Sequence, residues 1–131
     1  MNNNDDTPGP QGDLVLCTPA LPRDTNAYGN IYAGWIVSQM DLAAAATAEK
    51  ITRTRVVTVA IDSMSFVSPV KVGSMIELYA HVLEVGRSSI KVQVDVWAHR
   101  YNETAGHKVT DAIFVVVAVD EMGHAQIIQQ G

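Results

Sequence analysis

One segment constrains the fold of this chain more than any other. The twenty residues from about Ile31 to Lys50 (IYAGWIVSQMDLAAAATAEK) predict a single long helix, because alanine has the highest helix propensity, and Asn30 is a suitable N-cap. The segment is apolar nearly all round, which is typical of a buried helix. Gln39, Asp41 and Glu49 interrupt it, which argues against a membrane span. The helix therefore needs a covering layer.

The remaining segments predict strands, because apolar and polar residues alternate with period two. From Ile90 to Ala98 the alternation is complete, which indicates a strand with one buried face. Ala112–Val119 is apolar throughout and predicts a central strand covered on both faces. Further strands are expected at Asp13–Thr18, Val56–Ile61 and Met75–Val85. One long helix lying on a curved antiparallel sheet is an α+β architecture.

Size and composition predict one domain that associates with a second copy. The chain has 131 residues, of which 47% are hydrophobic and 18% charged. That apolar content is high for a small monomer, so another copy is expected to cover part of the surface. Residues 1–12 are predicted to be a disordered leader, and residues 13–131 one domain. A single cysteine, Cys17, predicted to be buried, and a polar start without signal-peptide character favour a cytoplasmic location.

Charge and histidine spacing exclude several function classes. A net charge of −5 argues against nucleic acid and anionic membranes as partners recognised by bulk charge. An anionic ligand would need a local basic pocket instead. The four histidines are scattered without ligand-type spacing, so no metal site is expected.

The predicted helix carries one carboxylate among small side chains, while its stripes of bulky residues, including the one with Leu42, are expected to pack against the sheet. Helical spacing puts Gly34, Ser38, Asp41, Ala45 and Ala48 on one stripe, which predicts a narrow groove beside Asp41. A carboxylate there needs compensating hydrogen bonds or an altered ionisation. Two interpretations stay open: a helix–helix contact through the small residues, or a general base or nucleophile at the wall of a thin acyl channel.

The residues around this helix resemble a known family. The segment from Asp24 to Asp41 (DTNAYGNIYAGWIVSQMD) is similar to the active-site segment of hotdog-fold acyl-CoA thioesterases, and the YciA-like branch is the closest. Arg55–Ala60, Phe66–Gly73 and Val85–Val92 resemble the same branch. The resemblance implies a hotdog fold, in which a curved antiparallel sheet wraps one long central helix. It also implies acyl-CoA as substrate, no metal or redox cofactor, and a homodimer that can assemble into a trimer of dimers.

The resemblance also implies a catalytic site shared between two subunits. It assigns Asp41 as general base or nucleophile and Asn26 of the partner subunit as its helper. The first-turn amides of Ala33 and Gly34 suit a thioester carbonyl that becomes an oxyanion. Thr58 corresponds to a hydroxyl that helps to hold the nucleophile.

Coenzyme A is the anionic ligand that the resemblance implies. Gly86, Arg87, Ser88 and Ser89 form a turn that contacts the pantetheine and nucleotide in relatives, and its arginine and hydroxyls suit phosphates. The chain departs from the commonest family pattern in two places, where Ala33 replaces a glycine and Asn30 an acidic residue.

Two other functions belong to the same fold. A hotdog dehydratase or hydratase would need a catalytic histidine at the helix, and Ile31–Lys50 contains none. The alternative from another class is a non-catalytic acyl-CoA-binding hotdog module. The acyl chain length is expected to depend on a groove floor lined by Ser38, Ala45 and side chains of the partner.

Overall fold

The computed structural model describes residues 9–129. After a first strand and a short 3-10 turn at Pro22–Asp24, a long helix is followed by four more strands. The main elements are β1 (Asp13–Pro19), α1 (Ala33–Thr52), β2 (Arg55–Phe66), β3 (Met75–Val85), β4 (Ser89–His99) and β5 (His107–Val119). The predicted α+β architecture of one helix on one antiparallel sheet is confirmed.

The five strands form one antiparallel sheet in the order β1-β3-β4-β5-β2. The central strand is β4, whose side chains Val92, Val94 and Val96 are fully buried against the helix. The alternation predicted for this strand is confirmed. The order leaves β1 and β2 as the two edges, each with one side unpaired within the described residues.

The strand β5 was predicted to be central and covered on both faces, and the second part of that prediction is wrong. The strand lies between β4 and β2, and its Ala112, Phe114 and Val116 are buried. Ile113 and Val115 point to the other face and are only half-buried. The sheet of a single chain has a helix on one face only, so a run of apolar residues does not imply two covering layers.

Helix α1 begins at Ala33, and Asn30 is not its N-cap as predicted. The N-cap is Tyr32, in an extended conformation and without a side-chain cap. The backbone before it is held by tertiary hydrogen bonds: Ile31 N donates to Val70 O at 2.9 Å, and Tyr32 N donates to Asp24 O at 3.0 Å. These bonds keep the preceding residues extended, so the helix starts two residues later than its composition suggests.

Only one stripe of α1 is buried in a single chain. Ile36, Met40, Ala43, Ala44 and Ala48 pack against the sheet. Leu42, whose stripe was expected to pack against the sheet, is 59% exposed, so that prediction is wrong. The apolar surface that remains outside supports the expectation that a second copy covers part of the helix.

The edge strand β2 is bent and exposes large apolar side chains. Its pairing with β5 shifts register between Thr58 and Ala60 and again between Asp62 and Ser65, and Ser63 has a φ of 56°. Such bulges increase local twist and curl the edge of a sheet. Val57, Val59 and Ile61 are all exposed on this strand.

Three expectations concern the chain outside these elements. Residues 1–8 of the predicted leader lie outside the described residues, and Gln11 N donates to the buried Asp95 Oδ2 at 3.1 Å. Cys17, predicted to be buried, is exposed because it lies on the edge strand β1. No helix within residues 9–129 has the length and apolarity needed to cross a membrane.

Candidate active site

Asp41 lies on the flank of α1 that faces the edge strand β2. Its Oδ1 accepts a hydrogen bond from Thr58 Oγ1 at 2.5 Å, and both residues are half-buried. This bond supplies the compensation that a carboxylate on an apolar helix needs. Within residues 9–129 nothing donates to Oδ2, which leaves that oxygen available for a proton or an acyl carbon.

The loop before the helix fixes the orientation of the Asn26 amide. Its Oδ1 accepts hydrogen bonds from Tyr28 N at 2.8 Å and from Asn30 N at 3.2 Å, and Asn26 N donates to Asn30 O at 2.7 Å. Backbone N–H groups can bond only to the amide oxygen, so the side-chain Nδ2 must point away from the loop. Asn26 therefore presents a donor at the surface.

A cavity of about 390 Å³ joins this loop to the helix N-terminus and to the segment after β2. It is lined by Asn26, Asn30, Ile31, Ala33, Ile36 and residues 66–70. At its rim, the amides of Ala33 and Gly34 stand in the first helical turn, where no intrahelical acceptor exists. Trp35 N, by contrast, donates to Tyr32 O at 3.2 Å.

The predicted catalytic residues fall into two groups within one chain. Asn26 and Ala33 line one cavity at the helix N-terminus, and Gly34 is beside them. Asp41 and Thr58 form the second group, about 12 Å further along the helix axis at 1.5 Å per residue. A single carbonyl group cannot contact both sets of side chains of one chain.

The turn predicted to contact CoA lies at the same end of the sheet as Thr58. Ile90 pairs with Val116, and Val116 with Thr58, so the beginning of β4 is two strand spacings, about 10 Å, from Thr58. Arg87 is exposed and forms no salt bridge within residues 9–129. Its carbonyl accepts from Ile128 N at 2.7 Å, which ties the turn to the segment after β5.

The structure corrects the groove predicted along the helix. The stripe does not form one channel, because Ala48 is buried and Ala45 lines a separate apolar cavity on the β1 flank. Ser38 donates to the Trp35 carbonyl at 2.6 Å. Sequence reasoning missed the role of Phe66 and Val67, which wall the Asn26 cavity. The segment Phe66–Gly73 resembles the thioesterase family, but that resemblance does not indicate that these residues line the cavity.

Comparison with known proteins decides the family. The model of the thioesterase superfamily matches residues 28–105. The chain belongs to the thioesterase superfamily. It is 49% identical over 121 residues to an uncharacterized acyl-CoA thioester hydrolase of Haemophilus influenzae, covering 90% of this chain and 79% of that one. It is 45% identical over 117 residues to the acyl-CoA thioester hydrolase YciA of Escherichia coli, covering 87% and 89%.

Solved structures of this superfamily share the fold. A hexameric broad-specificity acyl-coenzyme A thioesterase, solved as an aspartate-to-alanine mutant, superposes with a TM-score of 0.87 at 46% identity, covering 91% of this chain and 88% of that one. The predicted hotdog fold and the resemblance to the YciA-like branch are confirmed. Among residues 9–129, no three His, Cys, Asp or Glu side chains come together as a metal-binding group.

Proposed function

We propose that this thioesterase hydrolyses acyl-CoA to a free carboxylic acid and CoA, with Asp41 as general base or nucleophile. The observation that carries the proposal is the hydrogen bond from Thr58 to Asp41, which holds one carboxylate oxygen and leaves the other free on the flank that faces β2. The similarity to acyl-CoA thioester hydrolases supports the substrate class.

The working site is made by two copies joined along β2. This edge exposes Val57, Val59, Ile61 and Phe66, whereas Leu14 is the one large apolar side chain exposed on β1. An antiparallel pairing about a two-fold axis near the middle of β2 puts the Thr58 end of one strand beside the Phe66 end of the other. Because Phe66 lines the Asn26 cavity, the Asp41 of one copy then faces the Asn26 and Ala33 of its partner.

The reaction at this shared site balances without a redox step. The amides of Ala33 and Gly34 polarise the thioester carbonyl, and the outward Nδ2 of Asn26 donates to the same oxygen or to the attacking water. With Asp41 as base, water loses a proton to Oδ2, its oxygen bonds to the carbonyl carbon, and the C–S bond breaks. The leaving thiolate then takes the proton. With Asp41 as nucleophile, Oδ2 bonds to the carbonyl carbon as the C–S bond breaks, which gives a mixed anhydride and CoA thiolate. Water then opens the anhydride to the free acid and the Asp41 carboxyl group, whose proton goes to the thiolate.

The turn at Arg87 completes the site by binding coenzyme A. The exposed guanidinium suits a phosphate, and the turn lies on the same copy as Asp41 at the same end of the sheet. Gly86, Ser88 and Ser89 supply backbone and hydroxyl contacts beside it. We propose no metal or redox cofactor, since hydrolysis transfers no electrons and CoA belongs to substrate and product. A trimer of dimers accords with the hexameric relatives, and the cytoplasmic location stays a prediction.

Substitution of Asp41 tests the proposal directly. Asp41→Asn keeps an oxygen that accepts from Thr58 but removes the base, so release of free thiol from acyl-CoA should fall by about 10²- to 10⁴-fold. Binding of CoA, measured by calorimetry, should persist. Asp13→Asn removes an exposed carboxylate on the opposite edge of the sheet and serves as control.

An unchanged rate of thiol release would favour the alternative function, which is binding of acyl-CoA without turnover. If wild type and Asp41→Asn release thiol at the same background rate while both still bind CoA, the enzyme interpretation fails. The chain is then a non-catalytic acyl-CoA-binding module.

A further inference from the structure

The cavity beside Asn26 has a fixed apolar wall that a single copy leaves open to solvent. Val67 lines the cavity and is 65% exposed, yet its backbone N–H donates to Val109 O at 2.8 Å, which holds the backbone of this residue in place. Phe66 stands beside it and is also exposed. Apolar side chains on a fixed backbone around a concave site are typical of a preformed pocket for an apolar ligand.

The floor of this cavity cannot recede. It is formed by Ile31, Ile36 and Val70, which are at least 95% buried and belong to the hydrophobic core. Core side chains are close-packed, so a ligand cannot deepen the cavity without displacing them. The pocket therefore has a finite depth, which limits the length of what it holds.

The position of the cavity relative to the proposed reaction identifies its occupant. A carbonyl oxygen bound by the Ala33 and Gly34 amides is attached to the carbon from which the acyl chain extends, so the chain begins at the rim of this cavity. The separate apolar cavity around Leu42 lies on the helix flank that faces β1, whereas Asp41 faces β2. That second cavity is on the wrong side of the helix to receive the acyl chain.

We propose that the Asn26 cavity binds the acyl chain of the substrate, that it favours medium-chain aliphatic acyl groups, and that Val67 determines the chain length. The inference rests on the proposed thioesterase function. The volume of about 390 Å³ lies at the lower end of the range of roughly 300–1,000 Å³ for small-molecule pockets, which favours an acyl chain of medium length over a long one.

The test compares straight-chain acyl-CoAs from acetyl to palmitoyl. In the wild type, kcat/KM should rise by about fourfold per methylene, the equivalent of about 0.8 kcal/mol per buried CH₂, and level off at medium length. Val67→Trp fills the cavity and should lower the ratio of octanoyl-CoA to acetyl-CoA activity by about tenfold or more. Val67→Ala enlarges it and should move the plateau to longer chains.

A matched control separates the pocket from a general effect of a large side chain. Leu14→Trp places tryptophan at an exposed position on β1, at the edge of the sheet opposite β2 and therefore far from Phe66 of either copy. This variant should leave the ratio unchanged. If Val67→Trp and Val67→Ala also leave the ratio unchanged, or reduce activity equally for all chain lengths, the assignment of the acyl pocket is wrong.

The two proposals fail in different ways. Loss of the chain-length effect with acetyl-CoA hydrolysis intact contradicts only the pocket. Absence of thiol release from every acyl-CoA contradicts the proposed function. The ratio of octanoyl-CoA to acetyl-CoA affinities, measured in the Asp41→Asn background with and without Val67→Trp, then still tests the pocket without turnover.

Discussion

At the scale of single residues, the hydrogen bond between Thr58 and Asp41 is the central feature of the proposed site. Thr58 comes from an edge strand and Asp41 from the helix, so their 2.5 Å hydrogen bond fixes the carboxylate relative to the sheet. The bond also makes the two carboxylate oxygens different, because Oδ1 accepts a hydrogen bond and Oδ2 accepts none within residues 9–129. In the proposed reaction Thr58 is a positioning residue that acts through Asp41.

Removing the Thr58 hydroxyl should therefore impair turnover more than binding. Thr58→Val keeps the shape of the side chain but loses a hydrogen bond to a charged group, worth about 1.5–3 kcal/mol. We expect kcat to fall by about 10- to 100-fold with KM little changed, measured by steady-state thiol release. Thr58→Ser restores the donor and should recover most of kcat. An equal loss in both variants would mean that the methyl group, through packing, matters more than the hydroxyl.

At the scale of elements, the loop before α1 determines which end of the Asn26 side-chain amide is exposed. The side-chain oxygen accepts hydrogen bonds from two backbone N–H groups of the loop, so the donor end of the amide is the one left exposed. A residue type alone does not reveal this, since a free asparagine can donate or accept. The three-dimensional path of the loop makes the difference.

Asn26→Asp tests the donor assignment in this loop. The carboxylate can still accept from Tyr28 N and Asn30 N, so thermal unfolding should be unchanged. It cannot donate in the ionised state, and kcat/KM should fall by about 10²- to 10³-fold, as for the loss of an oxyanion-hole donor. Asn30→Asp adds the same charge in the same loop and should change activity only a few-fold. Similar losses in both variants would indicate that charge, not donation, is what the site rejects.

The sequence predicted some of these elements correctly and others not. Periodicity predicted β4 and the bounds of β3 correctly, because one buried face imposes a strict alternation. The prediction for the start of α1 was wrong, because hydrogen bonds from Ile31 and Tyr32 to residues outside the helix override the local N-cap preference. The predicted burial of Leu42 and Cys17 was also wrong. Apolar character alone does not show whether a side chain packs inside its own chain, against a second copy, or at an edge of the sheet. Val67 was missed because its place depends on how the bent β2 ends.

At the scale of the whole molecule, one chain holds every predicted catalytic residue and yet no complete site. The two groups are separated along α1, and in the proposed pairing the joined β2 edges of two copies bring each group to the other. A symmetric pair then contains two equivalent sites, each using residues of both copies. The expected association therefore has a catalytic consequence and does more than bury apolar surface.

Mixing two inactive variants tests this arrangement. In a mixture of Asn26→Ala and Asp41→Ala copies, half of the random pairs are mixed, and each mixed pair has one intact site. About a quarter of the wild-type sites should therefore be recovered, measured by thiol release after unfolding and refolding the mixture. Light scattering provides the control that pairs have re-formed. No recovery in re-formed pairs would place Asn26 and Asp41 of one chain in the same site.

The exposure of Cys17 provides a means of measuring distances in the assembly. It is the one cysteine of the chain and lies on β1, the edge opposite β2, so each copy carries a single thiol remote from the proposed shared site. Partial burial, and then the nearby Glu77 carboxylate, raise the pKa of the Cys17 thiol, so the reactive thiolate is scarcer at neutral pH and a spin label attaches faster in alkaline buffer. In a pair joined through β2, nine strand spacings, about 43 Å measured across the strands, separate β1 of one copy from β1 of the other. Pulsed electron resonance resolves such a distance, so this residue with no role in catalysis can report which edges of the sheet meet.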